Sequence, residues 1–303
     1  MFDNIVFFNW YGNGDVFNNR EFIRELMPKL PAEKFWFAHA KNPRLLEDME
    51  GLHYSKITPQ MEGAWRTKLY DNDLYINTWL GLNPKYILPG IGCSLENYHW
   101  MYSDVLEDLN ISFGIDVKLE QSMEKYLPTV DFDKLQKLHP EYYERISDFV
   151  NNTWPGRKVL ISNGEVQSNQ AENFDMTPAI KLLAHGYEDT AFILTQEAPI
   201  CMDNVFFTRD IIQTDDGSDL NEIVKLSEDC GVIIGRSSSP YAFCLTLENH
   251  MDPTKIFVAF SHNMSCSFSF HTRSTPAKKF WSNETDMDSV VFLIKEALTE
   301  WER

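Results

Sequence analysis

Short apolar runs alternate with amphipathic segments along most of the chain. Apolar runs of strand length lie at 5–8, 34–38, 74–79, 158–162, 191–195, 204–208, 231–235 and 255–260, with a further extended segment at 53–57. Segments with helical spacing of apolar residues lie at 18–30, 43–49, 95–109, 141–152, 177–185, 219–228, from 240 onward, and at 288–301. Apolar strands separated by helices are typical of a parallel sheet covered by helices. The pattern predicts an α/β fold.

The same alternation runs twice. A helical segment ends near Asn152, the break Trp154-Pro155-Gly156 follows, and a new apolar strand begins at once. The chain has 303 residues, about twice the length of a common domain. We therefore predict two Rossmann-like domains, 1–154 and 155–303, that face each other across a ligand cleft.

Composition narrows the classes of partner. Hydrophobic residues make up 43%, enough for two cores, and no run has the length of a membrane span. The formal net charge is −18, and no basic stretch is long enough to offset it. Because such a surface repels a phosphate backbone, the sequence argues against nucleic acid as a partner.

The cysteines and the N-terminus predict a cytoplasmic location. The five cysteines are dispersed and form no C-x-x-C pair: Cys93, Cys201, Cys230, Cys244 and Cys266. That pattern argues against a disulfide framework and against a zinc site. The first residues lack the basic and long apolar regions of a secretory signal.

The first candidate site is the turn after the first strand. It consists of Trp10, Tyr11, Gly12, Asn13, Gly14 and Asp15. Ligands of open parallel sheets bind where strands end and helices begin. A carboxylate there is placed for general-base chemistry, but this turn taken alone favours the other interpretation, in which Asp15 caps the following helix. Trp10 and Tyr11 have two interpretations, a stacking platform for a sugar or base, or packing beneath the turn.

Two further turns lie in the second half. Asn163 and Gly164 follow its first strand, and a long polar loop containing Gln170 comes next. The third turn begins where a buried strand ends; it consists of Gly235, Arg236, Ser237, Ser238 and Ser239, and Pro240 follows. Serine hydroxyls, free amides at a helix start and a guanidinium suit a phosphate, so we favour phosphate binding over a merely capped helix.

No metal site is expected. Three D-x-D sequences start at Asp71, Asp131 and Asp286, but none follows a strong apolar strand, as a sugar-nucleotide metal site would require. The histidines fit no ligand spacing. No cofactor is predicted.

Two of these turns resemble motifs of the family 9 glycosyltransferases, the heptosyltransferase-like enzymes. Gly14-Asp15-Val16 with the later Ile23-Arg24-Glu25-Leu26 resembles their opening, a strand, a Gly-Asp turn and a helix with Ile-Arg-x-Leu. The segment 235–241 resembles their donor motif Gly-Asn-Asp-Thr-Gly-Pro-Met, with Ser237 in place of Asp and Ser239 in place of Gly.

The resemblance implies the GT-B fold, with an acceptor side in the first domain and a nucleotide-sugar side in the second. It implies metal-independent, inverting transfer of a hexosyl or heptosyl group from a nucleotide-diphosphate sugar to a hydroxyl of a carbohydrate or other acceptor. Asp15 matches the position of the catalytic base, and the serine turn matches the donor loop. The family's lysine after the first strand of the second domain has no counterpart, and Arg236 is expected to supply its charge.

Two alternatives remain open from the sequence. One is a sugar-nucleotide epimerase of the same two-domain shape. The other is a protein that binds a nucleotide or nucleotide sugar without catalysis.

Overall fold

The computed structural model describes residues 1–86, 94–215 and 217–303. The chain divides into two compact units, Met1–Asp131 and Phe132–Arg303. This division precedes the sequence boundary at 154, because the helical residues 132–153 pack with the second unit. Within them Arg145 donates hydrogen bonds to the carbonyl oxygens of Ile212 and Gln213. Cys93 lies outside the described residues, and the other four cysteines are free thiols.

The first unit contains a five-stranded sheet in the order β3-β2-β1-β5-β4. Its strands are β1 (Phe2–Asn9), β2 (Ala32–His39), β3 (Leu52–Ser55), β4 (Thr67–Tyr70) and β5 (Asp73–Asn77). Only β4 is antiparallel to its neighbour. The apolar pattern misses β4 because it is an edge strand whose residues are mostly exposed.

Three α-helices accompany this sheet: α1 (Asn13–Phe17), α2 (Arg20–Leu26) and α3 (Leu95–Phe113). Short 3-10 helices lie at Pro43–Leu46, Pro59–Met61, Leu80–Leu82, Pro84–Tyr86 and Met123–Tyr126. The single helix predicted at 18–30 is wrong in both bounds, because the structure has two short helices here and the second ends at Leu26. The chain becomes helical at Asn13, so Asp15 lies in the first helical turn and not in an open loop.

Aromatic residues form much of the core on the helical side of this sheet. Phe22 of α2 stacks on Tyr126 at 4.1 Å between ring centroids and on Tyr102 of α3 at 5.0 Å. All three side chains are fully buried. α3 ends at Gly114, whose φ of 67° is the left-handed conformation that favours glycine. The packing fixes the first turns of α3 against α1 and α2.

The second unit contains a six-stranded parallel sheet in the order β11-β10-β9-β6-β7-β8. Its strands are β6 (Arg157–Ser162), β7 (Thr190–Leu194), β8 (Val205–Phe207), β9 (Val232–Arg236), β10 (Ile256–Phe260) and β11 (Lys278–Ser282). This is the Rossmann strand order, and its chain reversal falls between β6 and β9. The apolar pattern misses β11, a partly exposed edge strand.

The largest helices of this unit, Thr177–Gly186 and Met287–Trp301, share an apolar core with strands β6, β7, β9 and β10. The unit has the following helices in its described part. They are α4 (Phe132–Leu138), α5 (Pro140–Asp148), a π-helix (Phe149–Thr153), α6 (Thr177–Gly186), α7 (Thr208–Ile212), α8 (Leu220–Glu228), α9 (Ser239–Phe243), α10 (Leu247–Met251) and α11 (Met287–Trp301), with 3-10 helices at Met264–Cys266 and His271–Ser274. The two Rossmann-like halves predicted from the sequence are confirmed. Among the helices within the described residues, none combines the length and hydropathy needed to cross a bilayer.

Candidate functional site

Asp15 is held at both carboxylate oxygens by protein hydrogen bonds. The backbone N–H of Gly12 donates to Oδ2 at 3.1 Å, and the Tyr98 hydroxyl donates to Oδ1 at 3.1 Å. The first bond is the helix-capping role that the sequence allowed, and the second comes from α3. Gly12 has an ordinary φ of −75°, but a Cβ there would lie 3.1 Å from Oδ2. A side chain at position 12 would therefore require the Asp15 carboxylate to shift by a few tenths of an ångström, although the φ of Gly12 is open to any residue.

Burial dominates the electrostatics of Asp15. Desolvation raises the pKa of its carboxyl above the usual value. The Tyr98 hydroxyl, the Gly12 N–H and the charge of Lys41 each act in the opposite direction. A desolvated carboxylate with a raised pKa is a better proton acceptor than one in water, which suits a general base.

The aromatic residues of the first turn lie at the surface. Tyr11 stacks on Trp79, which follows β5, with 3.8 Å between ring centroids. Tyr11 is 45% exposed and Trp10 is 38% exposed. A Cβ at Gly81 would overlap the Trp79 indole, so that ring is held between Gly81 and Tyr11. Tyr11 therefore presents an exposed ring that is held in place by the Trp79 indole, and it does not pack beneath the turn.

Three polar residues at this edge were not predicted. The Thr78 hydroxyl donates to the carbonyl oxygen of Phe8 and accepts a hydrogen bond from Asn9, which joins the ends of β1 and β5. His39 ends β2, and its Nδ1 accepts a hydrogen bond from the backbone N–H of Lys41. Burial lowers the pKa of His39 to about 4, so this imidazole is neutral at pH 7. Asn9 and His39 directly follow predicted strands, and Thr78 lies near the end of a third, so a search for polar residues at strand ends would have found all three.

In the second unit, the turn after β6 is tied to the turn after β7. The side chain of Asn163 donates to the carbonyl oxygen of Gln196 at 2.8 Å and accepts from its backbone N–H at 2.9 Å. A Cβ at Gly164 would meet the flexible end of the Gln196 side chain at 2.9 Å. The predicted residues Asn163 and Gly164 therefore form a fixed turn beside the point where the strand order reverses.

Arg236 is turned toward the protein's own backbone. It ends β9 and is 2% exposed. Its Nη1 donates to the carbonyl oxygen of Phe174 at 2.8 Å, and its Nη2 donates to those of Asn163 and Gly164. Burial lowers the pKa of the guanidinium, and the charges of Glu165 and Asp175 oppose this. The two terminal nitrogens that were expected to bind a phosphate thus already donate to three carbonyl oxygens. Only the tertiary structure reveals this arrangement.

The serine turn joins the polar loop and the turn after β10. The Ser237 hydroxyl lies 2.7 Å from Gln170 Oε1 and 2.7 Å from the carbonyl oxygen of Cys266. The hydroxyls of Ser238 and Ser162 lie 2.8 Å apart. Ser239 is half-buried at the start of α9 and has no hydrogen-bond partner among the described residues. Its hydroxyl has both its donor and its acceptor sites free within the described part of this turn.

Gly235 allows the strand and the following helix to pack closely. A Cβ there would lie 2.8 Å from Tyr241 Cδ2 and 2.9 Å from Ser162 Cβ. All the donor-side residues expected from the sequence therefore belong to one connected group: Asn163, Gly164, Gln170, Gly235, Arg236, Ser237, Ser238 and Ser239. Ser162, from the same predicted turn as Asn163, also belongs to the group, and its unpredicted members are Gln196 and Cys266. In the described part of the chain, no three His, Cys, Asp or Glu side chains are arranged to hold a metal ion.

Comparison with solved structures identifies the architecture. E. coli heptosyltransferase WaaC with ADP aligns over 98% of this chain and 99% of its own, with a TM-score of 0.54 and 10% identity. E. coli ADP-heptose LPS heptosyltransferase II aligns over 99% and 100%, with a TM-score of 0.52 and 12% identity. The chain has the heptosyltransferase fold. No protein-family model matches it, and no curated protein does.

The heptosyltransferase fold agrees with the architecture implied by the two motifs. A further structure of WaaC, with ADP-2-deoxy-2-fluoro heptose, aligns over 98% of this chain and 99% of its own, with a TM-score of 0.53 and 10% identity. Identity this low establishes the fold alone. The chemistry of this chain has to be argued from its own side chains.

Proposed function

We propose that this chain is a metal-independent, inverting glycosyltransferase that moves a sugar from a nucleotide-diphosphate donor to an acceptor hydroxyl. The observation that carries the proposal is the Asp15 carboxylate, desolvated and oriented by two hydrogen bonds at the carboxyl end of β1. The structures that share the fold are heptosyltransferases, two of them with ADP or an ADP-sugar analogue. They make a hexosyl or heptosyl transferase the natural candidate.

In the proposed reaction, Asp15 takes the proton of the acceptor hydroxyl as its oxygen attacks the anomeric carbon. The bond from that carbon to the diphosphate oxygen breaks, and the nucleoside diphosphate leaves with the electron pair. A single displacement inverts the anomeric configuration. Trp10 and the Tyr11–Trp79 pair offer a ring face for the acceptor, and Asn13 and Gly14 complete that turn.

The donor is proposed to bind at the turns after β6 and β9. α9 has only five residues, so its dipole contributes little, and the free Ser239 hydroxyl is the clearest anion contact. Arg236 acts there by fixing the turn, with its positive charge within hydrogen-bond distance of the Asn163 and Gly164 carbonyls.

One observation favours a second candidate, a nucleotide-sugar binder without catalysis. Asp15 caps the Gly12 N–H, a structural role that requires no chemistry. A binder would respond to nucleotides but transfer no sugar.

The proposal is tested in two stages. Nucleoside diphosphates and their sugars are first screened by thermal shift, where a ligand at about 100-fold over its Kd adds about 2.7 kcal/mol of stability. The best donor is then incubated with mono- and oligosaccharides, and release of nucleoside diphosphate and the anomeric configuration of the product are measured. We expect binding and inverted product. Binding without acceptor-dependent release would favour the binder, and no response to any nucleotide would reject both.

A further inference from the structure

Two buried tyrosines of α3 contact the segment that carries Asp15. They are four residues apart, on one face of the helix, and neither is exposed to solvent. Tyr98 donates to the side chain of Asp15, and Tyr102 donates to Asn19 Oδ1 at 2.7 Å. Asn19 in turn donates to the main-chain carbonyl of Asp15. Both the side chain and the backbone of Asp15 are therefore held from α3.

The two bonds to the carboxylate divide its oxygens. Oδ1 accepts from Tyr98 and Oδ2 accepts from Gly12. A carboxylate has about four lone-pair sites, so each oxygen keeps capacity for one further proton donor. With one donor on each oxygen, the carboxylate cannot rotate without breaking a bond in a desolvated place, where an unmade hydrogen bond is costly.

We propose that Tyr98 is a positioning residue for the base: its buried hydroxyl orients the Asp15 carboxylate so that a remaining lone pair accepts the proton of the acceptor hydroxyl. This inference rests on the proposed function and adds a residue to it. Tyr98 acts through Asp15 and is given no contact with substrate.

The electrostatics define the direction of the effect. Burial alone raises the pKa of Asp15, and the Tyr98 bond is the largest influence that lowers it. The remaining influences on that side are the Gly12 N–H, the Lys41 charge and the residue's own backbone. Without the Tyr98 hydroxyl the Asp15 pKa rises further, and a smaller fraction of the protein holds the base ionised at a given acidic pH.

The test is Tyr98→Phe beside the matched variant Tyr102→Phe. Each removes one buried hydroxyl from the same face of α3, and only the first removes a bond to the carboxylate. The Asp15 carboxyl is titrated by carbon NMR in the ligand-free protein, with Asp15→Asn assigning the signal, and kcat/KM is followed against pH. In Tyr98→Phe we expect the Asp15 midpoint and the acidic limb of kcat/KM to move upward together, with activity recovering at higher pH. In Tyr102→Phe neither midpoint moves.

An unmoved or lowered midpoint in Tyr98→Phe, or an equal rise in both variants, would overturn the inference. If Tyr98→Phe does not fold, 3-fluorotyrosine at position 98 tests the same bond in the other direction. Its more acidic phenol donates more strongly and should lower the Asp15 midpoint; no change would overturn the inference. The titration needs no turnover, so the absence of transfer by the natural protein would reject the proposed function separately, whatever the midpoints show.

Discussion

The turns at the carboxyl ends of β1 and β9 each contain a charged residue, but the two charges have different surroundings. Asp15 has one hydrogen bond on each oxygen and keeps lone pairs for a further donor. Arg236 has both terminal nitrogens on carbonyl oxygens of its own unit. Burial raises the pKa of Asp15 and lowers that of Arg236, and in both cases this disfavours the charged form. Asp15 therefore keeps capacity for a substrate proton, whereas Arg236 uses its donors to fix a turn.

The difference shows that a charged residue at a strand end is not by itself a reactive group. What separates the two positions is the number of partners that the folded chain already supplies. In the described part of the turn after β9, the neutral Ser239 hydroxyl makes no hydrogen bond and can bind a ligand. Four variants or conditions test this contrast, and we take them in order of decreasing expected effect.

The largest effect is expected for Asp15→Asn. An amide oxygen still accepts from Gly12, so the helix cap survives, but the base is lost. We expect kcat to fall by about 10²–10⁴-fold with donor affinity unchanged, because general-base catalysis has that size. The measurement is steady-state transfer together with donor titration by calorimetry.

Asp3→Asn is the control, because Asp3 is exposed near the start of β1, whereas Asp15 follows the end of that strand. Full activity of Asp15→Asn would mean that its carboxylate only caps the helix.

Arg236→Met should mainly affect stability. It leaves three carbonyl oxygens without their charged donor, and hydrogen bonds to charged groups contribute about 1.5–3 kcal/mol each. We expect the free energy of unfolding, measured by urea denaturation, to fall by about 3 kcal/mol. The control is Arg209→Met, since that side chain is 66% exposed, and its change should stay below about 0.5 kcal/mol. Equal losses would contradict the structural role assigned to Arg236.

A smaller effect is expected for Ser239→Ala, which removes a hydroxyl that the fold does not use. Binding of the nucleoside diphosphate should weaken about 3- to 10-fold, the equivalent of one hydrogen bond, with the melting temperature unchanged. Ser168→Ala, on an exposed part of the polar loop, is the control and should bind like the natural protein. Unchanged affinity in Ser239→Ala would remove the serine turn from the donor site.

The smallest effect concerns stability and pH. The raised pKa of Asp15 means that its contribution to stability is present below the unfolded-state pKa and is lost as the pH rises through the folded-state value. Asp15→Asn should therefore unfold at a slightly higher temperature than the natural protein at pH 7, and the difference should vanish in acid. The quantity measured is the melting temperature of Asp15→Asn minus that of the natural protein at each pH. A smaller difference at pH 7 than at pH 3 would contradict the expected destabilisation by the ionised carboxylate.

Much of the fold was predictable because strands and helices have local periods. Every apolar run at a predicted strand is a strand in the structure, apart from changes at its ends. The strands that were missed are the edge strands β4 and β11, whose partial exposure removes the apolar signal. The short helices α4 and α7 were missed as well. Helix α1 was missed because its five residues are too few to show a helical period of apolar positions.

The candidate site was predictable to the extent that it follows strand ends. The donor-side residues all come from two such turns and one loop, and the structure brings them into contact. Tyr98 carries no comparable signal. It lies within an aromatic helix, 83 positions from Asp15, and nothing local separates it from its neighbours Tyr102 and Trp100.

The sequence by itself determined the alternation of strands and helices, the two Rossmann-like halves and the turns at which chemistry was to be sought, since each depends on residues close together in the chain. Only the tertiary structure decided what those turns hold. Two properties depend on contacts between residues some 60 to 80 positions apart: whether Arg236 donates to a carbonyl oxygen, and whether the Asp15 carboxylate is desolvated and accepts from Tyr98. Hydrogen bonding and desolvation act through space, and local patterns carry no record of them.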